Sequence, residues 1–223
     1  MTRGADVTTE QPIEVRDMAI VHRTFRAAYD EAARLVEAET DPTPERVAFL
    51  TDHIEMTLDL LHHHHEGEDE LLWPLLLERV PEQAEMVQRV ADQHDDVAAA
   101  VEHARIAVST WRVSPQAAER GALAASLRGL NGVLQTHLDA EEQQVVPLAA
   151  VTLTQEEWNA IGAHSRGSIP KDKLFIAFGM LLEPLSDADR AYMLSEVPAP
   201  VKLVWRTLGQ RSWRSYARRL RPA

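Results

Sequence analysis

Two segments of this chain set a histidine four residues ahead of a glutamate. One reads HHHHEGEDELLWP and pairs His64 with Glu68; the other reads HLDAEEQQVVP and pairs His137 with Glu141. In each, a proline follows ten residues after the histidine, at Pro74 and Pro147. Positions i and i+4 share one face of an α-helix, so each pair can aim an imidazole and a carboxylate at one point. Two such helices facing each other would supply two histidines and two bridging carboxylates, suitable for a two-metal centre. Imidazole with carboxylate suits iron, manganese or zinc, whereas magnesium or calcium would be held by oxygen alone. The chain has no cysteine, which excludes disulfides, thiolate sites and Cys-held iron–sulfur clusters.

Such pairs need long helices to carry them. Apolar residues recur at helical spacing almost everywhere, and alternating strand-like runs are nearly absent. The pattern predicts an all-α fold: an antiparallel up-down-up-down four-helix bundle over residues 12–150, preceded by a flexible segment 1–11 and followed by a helical extension 151–223. The first helix is read from Pro12 to Ala38, before the breaker TDPTP. The second runs from Pro44, capped by Thr43, to Val80, with Pro74 kinking it or ending its regular part. The third runs from Pro81 to Thr110. The fourth, capped and started by Ser114 and Pro115, reaches Pro147 or slightly beyond. Short connections between long helices imply antiparallel neighbours. In the extension, LTQEEWNAIGAH reads as a short helix capped by Thr154. GSIPKDKLFIAFGMLLE and LSDADRAYMLSEV read as two more, and a basic helix follows Pro198 and Pro200.

The other two bundle helices each carry a histidine, His22 in DMAIVHRTFR and His94 in ADQHDDVAAAV. The order is therefore His, then HxxxE, then His, then HxxxE. On His22, His64, Glu68, His94, His137 and Glu141, with the two matching Pro endings, the segment 12–150 resembles the hemerythrin-like (HHE) family. That resemblance implies a four-helix bundle around a non-haem di-iron centre, two Fe ions joined by an oxo or hydroxo bridge, with Mn or Zn as lesser alternatives. It also implies a protein that binds or senses O2, peroxide, NO or iron itself in a redox or oxidative-stress response. The alternative is a di-iron enzyme with catalase-, peroxidase- or oxidase-like activity. Four imidazole nitrogens, four carboxylate oxygens and a shared bridge make about ten bonds, about five per iron, one short of octahedral. Oxygen-carrying hemerythrins have a further histidine one turn after the third-helix ligand, and here that position is Ala98. Two further histidines, His65 and His164, are candidates for an extra ligand or an orienting neighbour.

The remaining histidines read as bystanders. His62 and His63 belong to a run that one helical turn cannot aim at a single metal. His53 and His103 lie roughly 16 and 13 Å from their nearest candidate ligands at about 1.5 Å per residue. Glu66, Asp69, Glu70, Asp95, Asp96 and Glu142 read as solvent-face charges, some of them able to fix a ligand's tautomer.

Composition narrows the partners. The net charge of −12 opposes general nucleic-acid binding. It is uneven, because residues 197–223 hold seven Lys or Arg and no acid. That basic, Trp-bearing tail can neutralise the acidic bundle while its aromatic side packs down, or meet a membrane surface or protein partner. No run of about 18 uncharged apolar residues occurs, and the N-terminus lacks the apolar core of a secretory signal. A cytoplasmic protein is expected. No flavin or nicotinamide fingerprint is present, so electrons would come from an external donor.

Overall fold

The computed structural model describes residues 11–222, and among them there are helices and no strand. The segment 1–11, read as flexible, lies apart from Gln11 outside the described residues. Four helices form the bundle: α1 (Arg16–Ala38), α2 (Pro44–Leu71), α5 (Gln93–Val113) and α6 (Ala117–Ala140). Each packs on two others: α6 lies between α1 and α5, and α2 closes the ring against both. The candidate ligands fall early in α1, late in α2, early in α5 and late in α6, yet they meet at one level. Successive members therefore run in opposite directions.

The breaks follow local chemistry. Thr43 caps α2, its hydroxyl accepting from the Arg46 N–H at 3.3 Å. Leu72 then separates α2 from α3 (Trp73–Arg79), two residues before Pro74. Proline has no N–H and crowds the carbonyl of the preceding turn, so the helix bends there. The third bundle member is also divided. A short 3-10 turn at Pro81–Gln83 leads into α4 (Ala84–Ala91), and Asp92 separates α4 from α5. Two predicted starts need correction. The first helix begins at Arg16, not Pro12, because Ile13 is tied to the Ala150 carbonyl at 2.9 Å in a non-helical lead-in. The fourth begins at Ala117, not at Pro115. Ser114 ends α5 with φ −130° and ψ 86°, since the residue before a proline is pushed out of the helical region.

Past Ala140 the last bundle helix changes pitch. Glu141–Val145 forms a π-helical turn before α7 (Val146–Thr152). The extension follows as α8 (Gln155–Gly167), α9 (Leu174–Leu182), α10 (Asp187–Ser195), α11 (Ala199–Val204), a second π turn at Trp205–Gly209, and α12 (Gln210–Leu220). Thr154 and Glu157 form a full capping box on α8.

Three apolar clusters organise the packing. The largest fills the bundle with Tyr29, Leu58, Leu61, Trp111, Leu127 and Leu134. A second cluster closes one end, gathering Met18, Leu72, Leu76, Val90, Val145 and Trp158. A third pins the extension to the outside of α1 and α2 through Ile20, Met56, Ile176, Met180, Trp205 and Trp213. Gly179 is required there, since a Cβ would stand 2.3 Å from the Trp213 ring.

The tail is partly consumed by the fold. Leu220 is fully buried in the bundle cluster. Arg221 pairs with Glu31 and Glu183. Tyr216 meets His53 at 2.9 Å, which accounts for that buried histidine. No helix among the described residues is long and apolar enough to cross a membrane.

Candidate metal centre

Each candidate ligand sits where the bundle cluster gives way to the end cluster. His22 lies between Met18 and Phe25 on α1. His64 and Glu68 lie between Leu61 and Leu72, His94 between Val90 and Val97, and His137 and Glu141 between Leu134 and Val145. The result is a polar layer enclosed by two apolar ones. All six residues are buried, and Glu68 and Glu141 have no exposed surface.

The carboxylates stand between the imidazoles. Glu68 Oε1 lies 3.1 Å from His64 Nε2, and its Oε2 lies 3.5 Å from His94 Nε2. Glu141 Oε2 lies 3.4 Å from His22 Nε2 and 3.7 Å from His137 Nε2. His65 joins them. It is buried, stacks on His94 with ring centroids 4.2 Å apart, and meets His137 edge-on at 5.0 Å. Ligand-type atoms gather into two groups that share Glu68. One is His65, Glu68, His94 and His137; the other is His22, His64 and Glu68.

The outward nitrogens are held by partners that leave the inward ones free. His22 Nδ1 donates to Glu142 at 3.0 Å, and Arg26 holds the same carboxylate oxygen at 2.7 Å. His94 Nδ1 donates to Asp69 at 2.6 Å, while Trp73 Nε1 donates to that oxygen at 3.0 Å. His137 Nδ1 donates to Gln93 at 3.4 Å. With Nδ1 carrying the proton, Nε2 presents a lone pair to the centre. Asp69 and Glu142 thus act on the site, whereas Asp95 and Asp96 stay exposed.

The centre's inward atoms have no protein partners. Nε2 of all five histidines and both oxygens of Glu68 and Glu141 are buried without a hydrogen bond. Burying that many polar atoms unsatisfied would be costly. Cations between the carboxylates would satisfy them all at once, so the donor set fits a metal pair. Burial also shifts their proton affinities. It raises Glu141 to about 8, with the Glu68 charge adding to the effect, and raises Glu68 as well. It lowers His137 to about 3 and His64 and His65 well below the ordinary range, neighbouring imidazoles adding to it. For His94 burial also pulls downward, but the Asp69 and Glu68 carboxylates override it and lift the group to about 9.

Along the chain, the family model for the hemerythrin HHE cation-binding domain matches residues 14–149. The chain belongs to the hemerythrin HHE family. Comparison with curated proteins and with solved structures gives no match. The matched stretch of this HHE domain takes in His22, His64, His65, Glu68, His94, His137 and Glu141 and stops before the extension. Membership carries cation binding, typically of iron, and the His/Glu cluster fits it.

His164, held as a second extra candidate, does not enter this cluster. It lies on the outer side of α2, 3.6 Å from Glu66 and 3.7 Å from Glu70. His62 is exposed, His63 pairs with Glu66 outside the bundle, and His103 is exposed. Ala98 is exposed as well.

Asp69 offers a direct test of the outer support. In Asp69→Ala, His94 loses the acceptor that orients its ring, and metal affinity is expected to fall by about 10–100-fold. Chelator competition measures this, with Asp95→Ala as a control that stays at the parent value. Equal affinities in the two variants would remove Asp69 from the site.

Proposed function

We propose that this protein is a non-haem di-iron protein whose centre binds a small diatomic ligand or peroxide, as a sensor or scavenger in redox or oxidative-stress response. The carrying observation is that Glu68 belongs to two separate imidazole groups, one oxygen towards each. Glu141 stands between His22 and His137 through one oxygen, Oε2. In this reading His65, His94 and His137 serve one ion, His22 and His64 serve the other, and both carboxylates span them.

The allocation is unequal, three imidazoles against two. His65 supplies the nitrogen that Ala98 cannot, and the ion beside His22 and His64 is left one donor short. Bound iron would supply redox chemistry and affinity for O2, NO or peroxide at that position. The chain's own part is to keep that position poor in water. His22 has no exposed surface, and the Phe25 ring stands 5.3 Å from that of His64. Five imidazoles to two carboxylates favours binding over substrate oxygenation.

Anaerobic iron loading followed by metal assay and optical spectra with O2, NO and peroxide tests the proposal. Two irons per chain and near-ultraviolet bands that respond to these ligands are expected. A chain that takes up one iron or none under those conditions is not a di-iron protein. Rapid O2 evolution from peroxide, lost in His64→Ala and in Glu141→Ala, would instead make it a catalase-like enzyme.

A further inference from the structure

The buried centre uses only half of the four-histidine run. His64 and His65 turn inward; His62 and His63 turn outward and meet Glu66 one turn later. One ligand-type atom from each of His62, His63 and Glu66 lies within 4.8 Å of the other two. His63 Nδ1 is 3.0 Å from Glu66 Oε2, and the rings of His62 and His63 are 5.4 Å apart.

A second helix brings a further imidazole to the same carboxylate. α8 crosses α2 at Gly67, where a Cβ would stand 3.3 Å from the Ile161 carbonyl and 3.4 Å from the His164 ring. Ser165 fixes the crossing by donating to the His63 carbonyl at 3.2 Å. The crossing brings His164 Nε2 to 3.6 Å from the same Glu66 oxygen that faces His63. His164 Nε2 is buried and has no hydrogen-bond partner. A metal with bonds of about 2.0–2.2 Å holds neighbouring ligand atoms roughly 3–3.5 Å apart. The His63 and His164 separations from Glu66 are of that size. A surface ion pair would explain His63 with Glu66. It would not explain two further imidazoles, one with an unpartnered buried nitrogen, around the same carboxylate.

We propose that His62, His63 and Glu66, with His164 drawn in from its place beside Glu66, form a second metal site, on the outside of α2, for a first-row divalent transition ion such as Zn2+ or Fe2+. Three imidazoles and one carboxylate match that class, and magnesium and calcium do not. The site shares no ligand with the buried layer. Residues 63 and 64 project about 100° apart on the helix, so an ion outside leaves the inner donors untouched. His62 is exposed and His63 and Glu66 are partly so, which makes the outer ion the exchangeable one.

The test uses the full chain with its buried centre loaded with iron under anaerobic conditions. Zn2+ is then titrated under equilibrium dialysis, with Zn and Fe counted separately. The parent is expected to retain one Zn2+ per chain with its iron unchanged. His164→Ala, Glu66→Gln and His63→Ala are expected to bind that Zn2+ at least ~10-fold more weakly, with the iron content and near-ultraviolet spectrum of the parent. Co2+ in place of Zn2+ should give visible d–d bands that disappear in His164→Ala. The same titration on Glu68→Ala, whose buried centre is broken, separates the two sites, since its outer Zn2+ should remain. No retained Zn2+ in the parent, or Zn2+ held equally by parent and all three variants, overturns the proposal.

Discussion

With the centre read as a di-iron site, Glu68→Ala is expected to cost the protein both irons. His22→Ala removes one donor from one ion, but Glu68 faces His64 with one oxygen and His94 with the other. Its loss leaves two dications with a single carboxylate between them, so their mutual repulsion is no longer offset. Outer partners of metal ligands are worth about 10–100-fold in affinity, and a shared inner ligand should exceed that. Iron assay after anaerobic loading and dialysis reads the effect, and a variant that retained two irons would refute the shared role. The isosteric Glu68→Gln distinguishes lost binding from lost folding. Glu68 is wholly buried and burial raises its pKa, so removing its charge should leave the metal-free protein as stable as the parent or more so. Metal binding and metal-free stability should thus move independently or in opposite directions.

Metal uptake is expected to release protons and to strengthen steeply with pH. In the metal-free protein Glu141 sits at about 8 and His94 at about 9, so both hold protons at neutral pH that a metal must displace. Apparent affinity should rise up to about 100-fold per pH unit below pH 8, while two protons leave, and about tenfold per unit from 8 to 9. Proton release into a weakly buffered anaerobic solution, with chelator competition across this range, checks both. Affinity independent of pH would refute the assignment.

The same groups set the stability of the metal-free chain. Glu141 is raised from 4.5 and His94 from 6.5. A raised folded-state value contributes stability that is complete below the unfolded value and lost as pH climbs through the folded one. Both therefore erode stability between about pH 5 and 9. His137, lowered from 6.5 to about 3, and His53, lowered by burial to about 4, act in the opposite sense, losing stability as the pH falls from 6.5 towards those values. The metal-free protein should be most stable near neutrality. Metal is expected to protect most above it, where chelation costs about 4 kcal/mol for each ion present at a thousandfold excess over its Kd. For a chain of this length that is roughly 8–16 °C in melting temperature.

The sequence carried the centre more clearly than its surroundings. Two HxxxE pairs and two interleaved histidines marked one polar face on each of four helices, and those residues meet in one layer. The burial of His65 was harder to read. Adjacent residues in a histidine run differ only by the helical twist, and which two turn inward depends on how α2 is rotated against α1 and α5. His164 was unreadable for a similar reason: its neighbours are fixed by where α8 crosses, which Gly67 permits but does not announce. The interruption at Asp92 has no proline or glycine to mark it. Ser114 looked like a cap because its side chain suits one, yet it ends α5 instead, and the extended Gln116 stands before the first residue of α6.

The two HxxxE segments agree in spacing down to their prolines, but their backbones do not. The first keeps regular α-helical pitch through Glu68 and breaks at Leu72; the second widens into a π turn at Glu141. A π turn accommodates one residue more than an α turn, so the chain beyond it is advanced by about 100° relative to an uninterrupted helix. The two halves are in phase at their ligands and out of phase beyond them. Removing one residue from 142–144 would let the turn close to regular α geometry and keep Val145, Val146 and Ala149 in the end cluster that they fill, whereas closing the turn without a deletion would swing them away from it. Wider pitch at the carboxylate is how a chain of this length aims both an acid at the centre and an apolar face at its cover.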